Sequence, residues 1–104
     1  MVGQILTWSD ANLKEDIRPI LDSSEVLKLR PVAFRMKGGK KLQFGFIAQD
    51  IEETELANIV YKDSRETRSV AYNQIIPLLL HQIQDLQDRL NNLEMFVSKY
   101  TPIG

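Results

Sequence analysis

An unbroken heptad pattern in the last third of the chain constrains the fold more than any other feature. Between Ile76 and Tyr100, apolar residues recur at alternating spacings of three and four. This spacing predicts a coiled-coil helix, which we place at residues 73–100, with Asn73 able to cap it and Pro77 in its first turn. The apolar stripe, which we call the seam, comprises Ile76, Leu79, Ile83, Leu86, Leu90, Leu93, Val97 and Tyr100.

The seam predicts that the helix associates with copies of itself. A helix of this length would measure about 40 Å, and a small domain cannot cover so long and narrow a stripe alone. The first position of each heptad is mostly β-branched and the fourth is mostly leucine, a pattern that nominally favours two strands. Pro77, Tyr100 and the attached globular part can each override that preference. The heptads alone therefore leave dimer and trimer open.

The residues before the helix predict a small α+β domain. A short helix is expected at 23–29, with Ser23 as its N-cap, and a second at 49–56. Alternating apolar residues in 32–36 and 42–46, joined through paired glycines at 38–39, predict a β-hairpin. A second hairpin is expected within 58–72. We assign residues 1–8 to the remnant of an upstream stalk or linker and 9–104 to the domain, with 9–72 globular and 73–100 the helix.

Composition argues against several kinds of partner. Thirteen basic and fourteen acidic side chains are interleaved along the 104 residues, so neither nucleic acid nor an anionic membrane is expected as the main partner. The chain has no cysteine and a single histidine, His81, which we expect on a solvated helix face. The basic stretch at 30–41 is not expected to be a phosphate-binding loop, because it has neither Walker spacing nor a helix start after it. No cofactor and no metal are expected.

The segment "TWSDANLKEDI", residues 7–17, allows two interpretations. Ser9 or Asp10 can cap a helical turn that contains Lys14, which is the ordinary role of such residues. Alternatively, Ser9 is a nucleophile and Lys14 its base, because a lysine can accept a proton where desolvation lowers its pKa. Residues five apart share a helix face poorly. Such a pair must therefore meet through a bent backbone or across subunits.

Three segments, in order, resemble the self-cleaving intramolecular chaperone domain at the C-terminus of phage tail spikes and fibres. Endosialidase tail spikes carry this S74-type peptidase domain, and myelin regulatory factor has a relative of it. The segments are "SDANLKEDI", then "LRPVAFRMK" with "FGFIAQDIEE", then "VAYNQIIPLLLHQIQDLQDRLNNLE", so the resemblance spans 9–94. Each segment alone is weak, but the ordered set is specific. Asn12 departs from the family pattern, which usually has arginine there.

The resemblance implies a homotrimer, and with it a function. Such a domain holds three chains in register while an upstream β-rich stalk of the same polypeptide folds, in the host cytoplasm during virion assembly. It then cuts itself off and leaves the mature fibre. By resemblance, Ser9 is the nucleophile, Lys14 the base and Asp10 a supporting group, whereas Gln49 and Asp50 fix the fold by hydrogen bonding.

The position of the cut and two other functions remain open. Attack by Ser9 on the carbonyl of Trp8 closes a five-membered ring, whereas attack on its own carbonyl needs a strained four-membered one. Cleavage at Trp8–Ser9 is therefore favoured over Ser9–Asp10.

A structural trimerisation module that never cleaves is the first alternative function. A coiled-coil adaptor, monomeric until it binds the helix of another protein, is the second.

Overall fold

The computed structural model describes residues 6–100. Most of the predicted upstream remnant, residues 1–5, and the last four residues of the predicted domain lie outside this range. The architecture is α+β, as predicted: short helices and two small hairpins precede one long helix. In chain order the elements are 3-10 helices at Ala11–Leu13 and Ser24–Lys28, strands β1 (Val32–Phe34) and β2 (Gln43–Gly45), helix α1 (Ala48–Glu52), a 3-10 helix at Ala57–Ile59, strands β3 (Val60–Lys62) and β4 (Arg68–Val70), and helix α2 (Tyr72–Tyr100).

The first hairpin forms where the sequence predicts it, and its register places Phe34 and Phe44 on opposite faces. Only Gly38 of the glycine pair has a positive φ, +80°, and the N–H of Gly39 closes the turn onto the carbonyl of Met36 at 2.8 Å. The antiparallel register places Phe44 opposite Ala33. Because successive side chains alternate between faces, Phe44 points away from the face that carries Phe34. It is 80% exposed.

The second hairpin also confirms the prediction, with β3 and β4 antiparallel and Val60 opposite Val70. Asp63 organises the loop between them, since its carboxylate accepts the backbone N–H groups of Arg65 and Thr67 at 2.8 and 2.9 Å. These bonds satisfy loop donors that no strand partner reaches. The loop is therefore a defined turn.

The core is small and is built around three isoleucines. Ile51 of α1, Ile59 and Ile75 of α2 are each at most 3% exposed and contact one another. An ion pair between Glu52 and Arg68 joins α1 to β4 beside this cluster. The core therefore ties α1 and the second hairpin to the start of the long helix.

The long helix begins slightly earlier than predicted, which changes two assignments. Because α2 starts at Tyr72, Asn73 lies inside the first turn and is not the cap. Pro77 lies beyond the first turn. A proline at that position cannot donate to the carbonyl four residues earlier, which belongs to Asn73.

The 3-10 helix at Ser24–Lys28 replaces the predicted helix at 23–29, and Ser23 stands at its N-cap position without a capping hydrogen bond from its side chain. The Ser23 side chain turns toward α2 instead. Its hydroxyl lies 2.7 Å from Nδ1 of His81 and donates to the amide oxygen of Gln82 at 2.9 Å. Ser23 and Gln82 are both buried. The prediction of a solvated His81 is therefore wrong, because this half-buried side chain anchors the preceding segment on the helix.

Candidate functional site

Residues 6–22, which we call the arm, carry the predicted dyad on an exposed segment. The large apolar side chains of the arm have little cover: Leu6 is 84% exposed, Trp8 89% and Leu21 91%. Only Ile20 is half-buried. The arm therefore presents its side chains to solvent or to a partner.

Asp10 has the capping role that one of the two interpretations predicts. It has an extended backbone, and its carboxylate accepts the N–H of Asn12 at 2.9 Å at the start of the 3-10 turn Ala11–Leu13. Lys14 ends the turn in an extended conformation, with φ −117° and ψ 149°. A tight turn between two extended residues thus supplies the bent backbone that the spacing of the pair requires.

This bend brings Ser9 and Lys14 together within one chain. The ammonium nitrogen of Lys14 donates to the hydroxyl oxygen of Ser9 at 3.1 Å, within the range expected of a nucleophile and its base. Both residues are exposed. Base catalysis needs a neutral amine that accepts the hydroxyl proton. The single chain therefore shows the pairing but not the buried environment that would activate it.

The peptide bond before Ser9 is open to approach, since Trp8, Ser9 and Asp10 are all exposed. Within residues 6–100, no hydrogen bond of the Ser9 side chain other than that from Lys14 holds the hydroxyl. The hydroxyl is thus free to turn toward the carbonyl of Trp8.

The seam of α2 is the second functional feature, and it lies uncovered. Its eight side chains are between 41% and 65% exposed. The globular part instead packs on a neighbouring stripe formed by Ile75, Leu78 and Gln82, which lie one residue before the first three seam positions. One residue turns a helix by about 100°. The chain therefore uses one face of α2 for its own core and leaves the seam unpaired.

Comparison with known families identifies the chain. A family model described as the chaperone of endosialidase, Peptidase S74, matches residues 9–61. The chain belongs to this family. The match begins at Ser9 and includes Lys14, both strands of the first hairpin and α1, and it ends before α2. No curated protein matches the chain.

Gln49 and Asp50, predicted as structural residues of the S74 domain, lie in α1 and are exposed. Asp50 forms an ion pair with Arg30 at 3.4 Å, which joins the two parts of the second segment that carries the resemblance. Gln49 lines a groove beside β4 with Arg68 and Tyr72. Both side chains are remote in the chain from the arm.

Tyr72 is a structural residue of the S74 domain whose role the sequence did not reveal. Its hydroxyl accepts the N–H of Phe46 at 3.1 Å, and the two rings stack with centroids 6.0 Å apart. A Cβ at Gly45 would lie 2.6 Å from that hydroxyl. The glycine of "FGF", at the end of β2, was the available signal, since glycine in a strand often marks a close approach.

The last residue of the arm, Asp22, and nearby Glu25 have carboxyl groups with lowered pKa values. The backbone N–H and the hydroxyl of Ser24 hydrogen-bond Asp22 and hold the pKa of that carboxyl below its ordinary value. The backbone N–H of Glu55, assisted by Lys28, lowers the pKa of Glu25 in the same way. The bond between Glu55 and Glu25 attaches the 3-10 helix Ser24–Lys28 to the residues after α1, and the lowered pKa shows that it favours the ionised carboxylate.

Within residues 6–100, no helix is long and apolar enough to cross a bilayer. The same range contains no group of three or more histidine, aspartate or glutamate side chains placed to hold a metal ion.

Proposed function

We propose that this S74 chaperone domain trimerises through the seam of α2 and holds an upstream β-rich stalk of the same polypeptide in register while the stalk folds. The uncovered seam supports this proposal most directly. Eight apolar side chains, each at least 41% exposed, repeat at coiled-coil spacing on a face that the globular part leaves free. Association would bury them, and burial of apolar surface is the main driving force for assembly.

The physical reason for such a clamp lies in how intertwined β-structures fold. Their contacts are distant in the chain, so folding is slow and strand edges stay exposed to wrong pairing. A coiled coil forms from local contacts and fixes both the number and the register of the chains. The domain would act in the host cytoplasm during virion assembly, as a phage tail spike or fibre is built.

Release of the stalk would follow by self-cleavage at Ser9. Lys14, as the neutral amine, takes the hydroxyl proton of Ser9 while the oxygen attacks the carbonyl carbon of Trp8. The five-membered intermediate expels the amine of Ser9, which receives a proton from the Lys14 ammonium, and an ester remains. Water then hydrolyses the ester to a carboxylate at Trp8 and a free hydroxyl at Ser9. Asp10 supports the step by fixing the turn that pairs the two residues.

The exposure of the dyad indicates when cleavage would occur. Base catalysis needs the neutral amine, and burial of an amine disfavours its charged form. The folded stalk, or a neighbouring subunit, would have to cover the arm before Lys14 can act as base. Cleavage would therefore wait for stalk folding, and the cut domain would leave the mature fibre. Once the clamp has left, the stalk no longer carries its assembly template, and its folded state is kinetically trapped.

A second function is favoured by one observation. The Asp10 cap, together with the exposure of Ser9 and Lys14, is what an ordinary helix start would show. In that case the domain is a trimerisation module that never cleaves. The seam would have the same role in both functions.

A fusion to the native upstream stalk separates these two functions. Wild type should yield one cut next to Ser9, seen by intact mass spectrometry without added protease or metal. Ser9→Ala should abolish it, and Lys14→Ala should slow it by at least about 10²-fold, the lower contribution of a positioned base. Lys14→Arg should fail similarly because a guanidinium does not accept the proton.

Two exposed residues of the same types provide matched controls. Ser64→Ala and Lys37→Ala change a serine and a lysine outside the arm and should cleave as wild type. An uncut wild type with a folded, trimeric stalk would favour the non-cleaving module. Cleavage in Ser9→Ala would show that another group is the nucleophile.

A further inference from the structure

The positions beside the seam on α2 carry information about how copies of the helix align. On one flank, the described helix has Leu80, Gln87 and Glu94. On the other flank it has Ile75, Gln82, Arg89 and Phe96. Residues at these flanking positions set partner choice and orientation in coiled coils, because they meet across the interface.

In a parallel, in-register arrangement no like charges meet at the flanking positions. A residue of the second flank meets the first-flank residue of a neighbouring copy about five positions further on. Arg89 then lies beside Glu94, whereas Ile75 is buried in the core of its own chain and is not available to Leu80 of a neighbouring copy. Gln82 falls beside Gln87, but its amide oxygen already accepts the Ser23 hydroxyl inside its own chain. Arg89 and Glu94 therefore form the charged pair available between copies within the described helix.

An antiparallel arrangement with the seams fully overlapped produces mismatches at the same positions. Aligning Ile83 with Leu93 of a neighbouring copy places Arg89 against Arg89. It also places Leu80 against Glu94. Like charges in contact are destabilising, and an apolar residue offers the carboxylate no partner. The flanks thus disfavour this alignment.

We propose that Arg89 of each copy pairs with Glu94 of a neighbouring copy, and that this pair fixes the helices parallel and in register. The inference rests on the proposed association through the seam. Arg89 is free to make the contact, since its side chain is 71% exposed and its intrachain contact with Asp85 is a loose 3.7 Å. When the helices are in register, the arms of the three copies begin at the same level along the coiled-coil axis, as a shared upstream stalk requires.

Charge reversal in the full chain tests the pair. Arg89→Glu and Glu94→Arg each place like charges at every interface and should lower the thermal midpoint by about 4–8 °C, a shift typical of one lost interaction in a domain of this size. The double variant Arg89→Glu/Glu94→Arg restores opposite charges and should recover at least half of the loss. In 1 M salt, where the Debye length is about 3 Å, the differences should shrink.

A matched control and a geometric test complete the experiment. Asp88→Arg adds the same charge as Glu94→Arg at an exposed position outside seam and flanks, and it should leave the midpoint within about 2 °C, as surface changes usually do. The chain has no cysteine, so Val97→Cys is unique. Parallel, in-register seams place its copies within disulfide reach, and oxidation should give linked pairs on a denaturing gel.

The outcomes separate this inference from the function on which it rests. A monomeric wild type, by light scattering, would overturn both. A wild type that associates, with no recovery in the double variant or no link through Val97→Cys, would overturn only the parallel pairing and leave association through the seam standing.

Discussion

Leu86→Asp is the perturbation that tests the seam most directly. Leu86 lies in the middle of the seam and is 49% exposed in the single chain, so about half of its side chain remains to be buried by association. Full burial of a leucine side chain contributes about 1.5–3 kcal/mol. The half that remains contributes about 1 kcal/mol in each copy, or about 3 kcal/mol in a trimer.

Replacement by aspartate removes this contribution and adds a second cost. Placing an unpaired carboxylate in an apolar interface costs several kcal/mol beyond the lost burial. A combined loss of at least about 4 kcal/mol raises the dissociation constant about 10³-fold or more, since each 1.4 kcal/mol is a factor of ten. The globular core should survive, because the isoleucine cluster lies before residue 76.

Light scattering across a dilution series, with circular dichroism, measures the effect. The unmodified chain should have the mass of a trimer, and Leu86→Asp should be a folded monomer at micromolar concentration. Met95→Asp is the matched control, since Met95 is an equally apolar residue of α2, 71% exposed and outside the seam. Equal dissociation by both variants would refute the role of the seam, and a stable monomeric wild type would favour the adaptor function.

Three further predictions concern the globular part and its attachment. Gly45→Ala would place a Cβ 2.6 Å from the Tyr72 hydroxyl and should destabilise the fold by about 1–3 kcal/mol in urea unfolding; an unchanged midpoint would contradict the close approach. Ser23→Ala leaves the buried Gln82 amide without its partner and should cost about 1–3 kcal/mol by the same measurement, whereas no loss would mean that the bond is not made. Glu25 has a lowered pKa, so its stabilisation is present above the ordinary value of 4.5 and is lost as pH falls through the lower folded value. Glu25→Gln should therefore flatten the fall of the thermal midpoint in acid, and an identical fall in both chains would contradict this.

The sequence predicts those parts of the fold that depend on local pattern. Heptad spacing predicts α2 to within one residue at its start, and alternating residues around Gly38 predict the first hairpin. The face of Phe44 was not predictable in this way. Alternation shows which residues of one strand share a face, but the register with the partner strand decides what they meet.

Contacts between distant residues are the part that the sequence did not predict. Ser23 looked like a helix cap because serine before a helical segment usually is one. Its real partners, His81 and Gln82, lie 58 and 59 residues further along the chain. No periodicity connects residues at that distance, so such a contact emerges only from the packed structure.

The two interpretations of the opening segment turn out to be compatible. Asp10 caps the 3-10 turn, and that same turn brings Lys14 to Ser9 at 3.1 Å. A cap and a paired serine and lysine were posed as alternatives because a regular helix would have placed residues five apart on different faces. A turn of three residues between extended neighbours removes that conflict.

The proposed clamp and the proposed cutting site occupy separate parts of the chain, and this separation has a functional consequence. The seam begins at residue 76, whereas the Ser9 and Lys14 side chains hydrogen-bond each other on an exposed arm. Ser23, bound to α2 through His81, is where the exposed arm gives way to the packed domain. Loss of the nucleophile should therefore leave assembly intact. Conversely, loss of the seam should prevent cleavage if the folded stalk or a neighbouring subunit is what buries the amine of Lys14.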